Sequence, residues 1–258
     1  MTTTPALLPI FLPPAAAMPG ASGALADACG RALATLTQAG VGQVVMIDSR
    51  WRGPRLAISE PAGASARALR QEICRQLAER DFWPDRADSQ WQAEGQAYLG
   101  RWLPELAEGL LAVSVPPHAP ERSMAVGEAI QAASAGDFAP AALVVVGATT
   151  RGGGGDSDGP AAFDRTLRRL LEQGEGAEIL NVGAQPWIDG RPDAELAHLF
   201  VLLGAAPGHA ATYLAAGRDQ DGGYAVITFA PAPVRAPARS DRWPTVFPLT
   251  VKGDPSGE

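Results

Sequence analysis

The sequence predicts an α/β fold with a mostly parallel central sheet and helices on both faces. Three observations carry this. The short apolar runs Pro9–Leu12, Gln43–Ile47, Leu110–Val115 and Ala142–Val146 are bounded by turn residues, as strands covered on both faces are. Segments with apolar residues at helical spacing alternate with them. A chain of 258 residues that is 46% hydrophobic is long enough to bury one substantial core.

The elements follow in order. The first strand ends at Pro13-Pro14, which cannot continue a ladder, so its carboxyl end is left open. Leu25, Cys29, Leu33 and Leu36 mark a helix that stops at Gly40. The strand Gln43–Ile47 turns at Asp48-Ser49-Arg50, and a short strand over 56–59 leads into a helix over 65–80 with Leu69, Ile73 and Leu77 on its apolar face. Residues 81–109 lack a clean period and read as an irregular, aromatic-rich insertion with short helices, anchored to the core by Trp83, Trp91, Tyr98 and Trp102.

Leu110–Val115 is the next strand, with a helix over 123–135 behind it, and the strand over 142–146 runs into Gly147–Arg151 and then four glycines. A helix over 161–172 follows. Pro192 opens another, with Asp193 and Glu195 favourable at its N-terminus and Leu196, Leu199, Phe200 and Leu203 as its stripe. Two strands, over 210–216 and 224–229, close a single domain spanning 1–230. Residues 231–258 carry six prolines and read as an extended arm over the surface or onto a neighbour.

Composition narrows the function. A formal charge of -7 and a pI near 5.0 repel phosphate backbones and anionic lipid, which argues against nucleic acid and membrane surfaces as partners. No apolar run reaches the length of a membrane helix, and no Arg or Lys precedes Arg31, so the apolar N-terminus reads as a core strand rather than an export signal. Cys29 and Cys74 show neither disulfide nor metal-ligand spacing, and the expectation is a cytoplasmic protein with two inert thiols.

Several chemical signatures fail on inspection. Gly152–Gly155 follows a buried strand, but a Walker-type loop needs a lysine at the phosphates, and the one lysine is Lys252 in the arm. The helix after these glycines opens too late for a dinucleotide fingerprint, so the segment reads as a flexible loop, one that could also serve as a lid. No Gly-x-Ser-x-Gly elbow occurs. Of the three histidines, His118 stands at a strand end, His198 pairs with Glu195 at Glu-x-x-His spacing, and His209 opens a strand. A single Glu-x-x-His is short of a metal site and reads as a helix ion pair.

Ile10-Phe11-Leu12-Pro13-Pro14, the strand and Gly-rich loop Val144–Arg151, and the Glu-led helix from Glu195 to Gly204-Ala205 fall together in an order that resembles the class III extradiol (LigB-like) ring-cleaving dioxygenases. Val113–Pro116 and Gly222–Phe229 also fall in family order, so the resemblance covers roughly 7–230. It implies that family's α/β fold and a non-haem ferrous ion held by two histidines and a glutamate, with another histidine as acid/base. Carried over, the first ligand falls on Leu12, the second at or near Ser49, and the acid/base at Thr150 or Arg151, while Glu195 is retained.

Leucine offers no donor, a neutral serine hydroxyl is a poor ligand, and arginine stays protonated. The resemblance therefore implies no cofactor, with Glu195, His118 and His209 as the only ligand candidates if a metal binds. An ion pair between Arg151 and Glu195 across the former metal site would satisfy both charges. Three functions remain open: a non-catalytic or regulatory subunit, as a homo-oligomer or paired with an active dioxygenase subunit; a divergent enzyme acting on a small aromatic or carboxylated substrate, with Arg151 gripping an anion; and an active dioxygenase recruiting His118 or His209.

Overall fold

A computed structural model describes residues 7–14, 23–51, 53–116, 119–138, 140–151, 159–180, 194–218 and 222–232. The centre of the sheet forms where the sequence is most uniformly apolar. β6 (Ala141–Val146) is buried at every residue and lies between β1 (Leu7–Leu12) and β2 (Gln43–Asp48), parallel to both. β5 (Leu110–Ser114) continues the parallel set beside β2. No residue of β6 faces water, so both of its alternating sets are apolar.

The outer strands depart from the expected mostly parallel arrangement: among the described residues the sheet has nine strands and is mixed. β3 (Ala57–Ile58) pairs antiparallel with β5, and β4 (Asp85–Arg86) pairs parallel with β3. β8 (His209–Arg218) and β9 (Gly222–Pro231) form an antiparallel pair, β9 lies antiparallel to β1, and β7 (Thr150–Arg151) is antiparallel to β9. The reason lies in the connections. A parallel neighbour needs a crossover of a dozen or more residues, and the links from β2 to β3 (49–56) and from β8 to β9 (219–221) are shorter than that.

Strand alternation divides the core into two clusters, one on each side of the sheet. Ile10, Leu12, Val44, Met46, Val144 and Val146 pack under α1 (Gly23–Gln38), with α3 (Ser89–Leu99) and α4 (Pro104–Ala107) beside it. Phe11, Val45, Ile47, Leu143 and Val145 pack under α2 (Ala64–Ala78), α5 (Pro120–Ala133), α6 (Gly159–Gln173) and α7 (Ala194–Ala205). α5 and α7 touch backbone to backbone. A Cβ on Gly127 would stand 1.9 Å from the Val201 carbonyl oxygen, and one on Gly204 would stand 2.0 Å from that of Met124.

The segment over 81–109 holds β4, α3 and α4. Asp88 caps α3 by accepting from the Gln90 backbone N–H at 2.8 Å. Trp91, Tyr98 and Trp102 do anchor it to the α1-side cluster. Trp83 does not: its side chain is 76% exposed, beside the outermost strand. Among the described residues no helix is long and apolar enough to cross a membrane. The glycine run at 152–155 and the arm from 233 onward lie outside the described residues.

Candidate functional site

In a sheet of this kind side chains meet beyond the carboxyl ends of parallel strands. Here β1, β6 and β2 end level with one another, and Leu12 and Asp48 are both registered opposite Val146. The exits are tied by backbone bonds: the Gly147 N–H donates to the Leu12 carbonyl at 3.0 Å and the Ser49 N–H to the Val146 carbonyl at 2.9 Å. Leu12 and Ser49, predicted to share a site, thus stand on either side of the end of β6.

Their environments differ. Leu12 is fully buried within the α1-side cluster, and Ser49 is half-buried at the turn. Between them in chemistry stands Asp48, whose side chain is 0% exposed at the end of β2. Its Oδ1 accepts from the Arg50 backbone N–H and Nε, each at 2.9 Å, and its Oδ2 accepts from Arg50 Nη2 at 2.5 Å. The fork holds Arg50 more firmly protonated than a free guanidinium, the hydrogen bond to Asp48 being the largest cause.

A rim surrounds this pair. Trp51 Nε1 donates to Glu94 at 3.0 Å, the Trp51 carbonyl accepts from Ser114 Oγ at 2.9 Å, and the Tyr98 hydroxyl donates to the Pro13 carbonyl at 3.0 Å. Burial raises the Tyr98 phenol well above its ordinary value, so it remains a donor. Tyr98 fastens α3 to the Pro13-Pro14 exit, where proline lacks an N–H and the carbonyl is the group to be satisfied.

On the other face, α7 delivers His198 to the end of β6. The ring is buried, stacks on Phe11 with centroids 5.9 Å apart, and sits so close to Gly147 that a Cβ there would meet Nε2 at 2.1 Å. Gly147 is therefore required by a side chain rather than by a turn. Thr149, buried after it, donates from its backbone N–H to Gly223 at 2.9 Å and from Oγ1 to Asp164 at 3.3 Å.

The remaining candidates are placed as follows. Thr150 and Arg151 form β7 against Gly223 and Gly222 rather than an open loop, and Glu195 lies in α7 one turn before His198. The side chains of Thr150, Arg151 and Glu195, and all of His118, lie outside the described residues, as does the expected Arg151–Glu195 pair. His209 is at the other end of the sheet. It is registered with Pro231 at the far end of β9 from Gly223, and it lines a cavity of about 100 Å³ with Glu128, Gly176 and Leu203. Glu195 and His209 flank opposite ends of a twelve-residue helix, roughly 18 Å long at 1.5 Å per residue, so they do not ligate one ion together.

Among the described residues, the strand ends do not supply the donor set that holds the ferrous ion of the resembled family. Leu12 supplies no donor, Asp48 is engaged by Arg50, and no three His, Cys, Asp or Glu among the described residues are grouped to hold a metal. The sequence marks Asp48 and Arg50 only as turn residues and Tyr98 only as an anchor of the segment over 81–109, and it does not single out Glu94. The available signal was an acid ending a buried strand with a base two residues later.

No protein-family model matches this chain, and no curated protein matches it. Among solved structures it is similar to an uncharacterized protein, JW3007, from Escherichia coli K12, with a TM-score of 0.58 and 14% identity over 86% of this chain and 99% of that one. That likeness shows the fold alone.

Proposed function

We propose that the chain is a divergent LigB-like protein that acts as a non-catalytic or regulatory subunit rather than a ferrous ring-cleaving enzyme. The observation that carries this reading is at the strand ends: Leu12 fills the end of β1 with hydrocarbon, and the neighbouring carboxylate, Asp48, is neutralised by Arg50. A site for iron and a chelating catechol needs open donors, and these two positions offer none. The family assignment itself rests on the order of the sequence motifs.

The test is anaerobic loading with ferrous iron, followed by desalting, metal analysis and a catechol ring-opening assay. The expected result is substoichiometric iron and no ring-opened product. One iron per chain, lost in Glu195→Gln together with ring opening, would overturn the proposal.

A second reading is favoured by one feature: Arg50 is 43% exposed while the carboxylate it grips is not. The guanidinium is thus partly open to solvent, where it suits a small carboxylated or aromatic acid. Saturable binding of benzoate-type anions, abolished by Arg50→Met in a folded protein, would favour this reading over the first.

A further inference from the structure

Arg50 stands between two carboxylates that play different parts. Asp48, wholly buried, accepts from Nε and Nη2, so it both neutralises the guanidinium and fixes its direction. Glu94, half-buried in α3, acts through space. Arg50 holds its proton more firmly chiefly through the hydrogen bond to Asp48, and the charge of Glu94 adds to that hold. Among the described residues Arg50 and Glu94 form no ion pair, although they are near enough to feel one another.

Both Glu94 oxygens are engaged elsewhere. Oε2 accepts from Trp51 Nε1 at 3.0 Å, and Oε1 accepts from Gln90 Nε2 at 2.9 Å, one helical turn earlier. Trp51 is itself fixed: its side chain is buried, its backbone N–H donates to the Asp48 carbonyl at 3.0 Å, and its carbonyl accepts from Ser114 Oγ at 2.9 Å. A swing of Glu94 onto Arg50 would leave the buried indole N–H without its acceptor, an unfavourable exchange. The charge of Glu94 is therefore held at a set place beside the turn that carries Arg50.

The balance of charge follows. Arg50 is positive, Asp48 and Glu94 are both negative, and Tyr98, also near Arg50, stays protonated through burial, so the group as a whole is negative. An incoming carboxylate still gains at Arg50. A guanidinium has five N–H donors, Asp48 engages only Nε and Nη2, and the side chain is 43% exposed. That gain comes from directed hydrogen bonds at short range. Repulsion from Glu94 instead grows in proportion to the charge of the ligand.

We propose that Glu94 is a specificity-determining residue of the Arg50 site, admitting ligands with a single carboxylate and disfavouring dianions. The inference rests on the second reading above, in which Arg50 receives a small carboxylated acid. Trp51 and Gln90 are the positioning residues that hold Glu94 as a fixed charge rather than as a competitor for Arg50.

Benzoate and phthalate test this, since at neutral pH they carry one and two negative charges on the same ring. Binding of each is measured by titration calorimetry to the full chain and to Glu94→Gln, which removes the charge and keeps an oxygen for the Trp51 indole. Glu94→Ser serves as a second neutral variant. At about 20 mM salt the expected gain on neutralising Glu94 is about threefold for benzoate and, with twice the charge, about tenfold for phthalate. At about 0.5 M salt both gains should shrink to less than about twofold. Equal gains for the two ligands, gains that persist at high salt, or weaker binding of both would show that Glu94 acts by contact or shape, and would overturn the inference while leaving the Arg50 reading in place. Absence of saturable binding of either ligand to wild type and to both variants overturns the Arg50 reading, and this inference with it.

Discussion

The Asp48 carboxylate lies wholly buried at the end of β2 and receives three N–H groups from Arg50, one from its backbone and two from its guanidinium. The arrangement is local, spanning two residues, yet it decides what the strand ends can do. A carboxylate whose oxygens already accept from a neighbouring cation is a poor metal ligand, and it is tolerated in the interior only because the cation is there.

Replacing Arg50 by Met leaves that carboxylate without its charge partner. Breaking a fully buried pair costs about 3–5 kcal/mol, but solvent reaches the Arg50 head, so the expected loss is about 1–3 kcal/mol. Asp48→Asn combined with Arg50→Met should recover part of the loss, because no buried charge then remains. Urea unfolding of the two single variants and the double variant measures the coupling. Strictly additive losses would show that the pair is not a unit.

Gly127 and Gly204 let α5 and α7 meet at backbone distance, and the contact positions the helix that carries Glu195 and His198. Gly127→Ala places a methyl group on the Val201 carbonyl, where only backbone can yield. The helices must separate, at an expected cost of about 1–3 kcal/mol. Gly42→Ala is the control, since a Cβ there meets nothing within 4 Å, and its effect should stay within about 0.5 kcal/mol. Comparable thermal midpoints for the two variants would contradict the close contact.

Much of this architecture is legible in the sequence, and the limits have physical causes. The run Ala142–Val146 reads as a buried strand because no polar residue interrupts it, and α2 reads from Leu69, Ile73 and Leu77. Strand direction is not written in that way. β3 and β9 run antiparallel to their central neighbours because of how the chain connects, so a reading of alternating elements overestimates the parallel share. β4 and β7 have two residues each, too few to show any period. At the site, Leu12 and Asp48 end their strands on either side of β6, whereas the bond from Tyr98 to the Pro13 carbonyl joins residues 85 apart and leaves no local signature.

Gln92 shows how a side chain can stand in for a missing strand. β3 stops after two residues, and beyond it Gln92 Nε2 donates to the Leu110 carbonyl at 2.6 Å while its Oε1 accepts from Ser59 Oγ at 2.5 Å and from the Ala112 N–H at 3.3 Å. Gln92→Leu keeps the volume and removes both functions. The Leu110 carbonyl is then buried without that donor, at an expected cost of about 1–3 kcal/mol. Exchange at the Ala112 amide should quicken less than the global loss implies, since Ser59 Oγ still accepts from it at 2.9 Å. A stability equal to wild type would mean that the amide bonds contribute nothing net.

The buried and half-buried thiols and phenols fix the sign of the alkaline response. Burial raises Cys29 from 9.0 to about 11, and it is also the largest cause of the upward shifts at Cys74, Tyr98 and Tyr213. Each group loses its proton more readily when unfolded, so above about pH 9 the unfolded chain binds fewer protons than the folded one and stability falls as pH rises. The contribution of Cys29 is whole below its unfolded value and is lost through its folded value near pH 11. Urea midpoints taken from about pH 8 to about pH 11 should therefore decline steadily, and Cys29→Ala should decline less steeply over the same window, whatever its absolute stability. In the native protein at about pH 8, Cys29 should also react with a thiol reagent far more slowly than after unfolding, because it is both protonated and inaccessible. A midpoint that holds level across this range would show that these groups ionise equally in both states and that their burial carries no linkage.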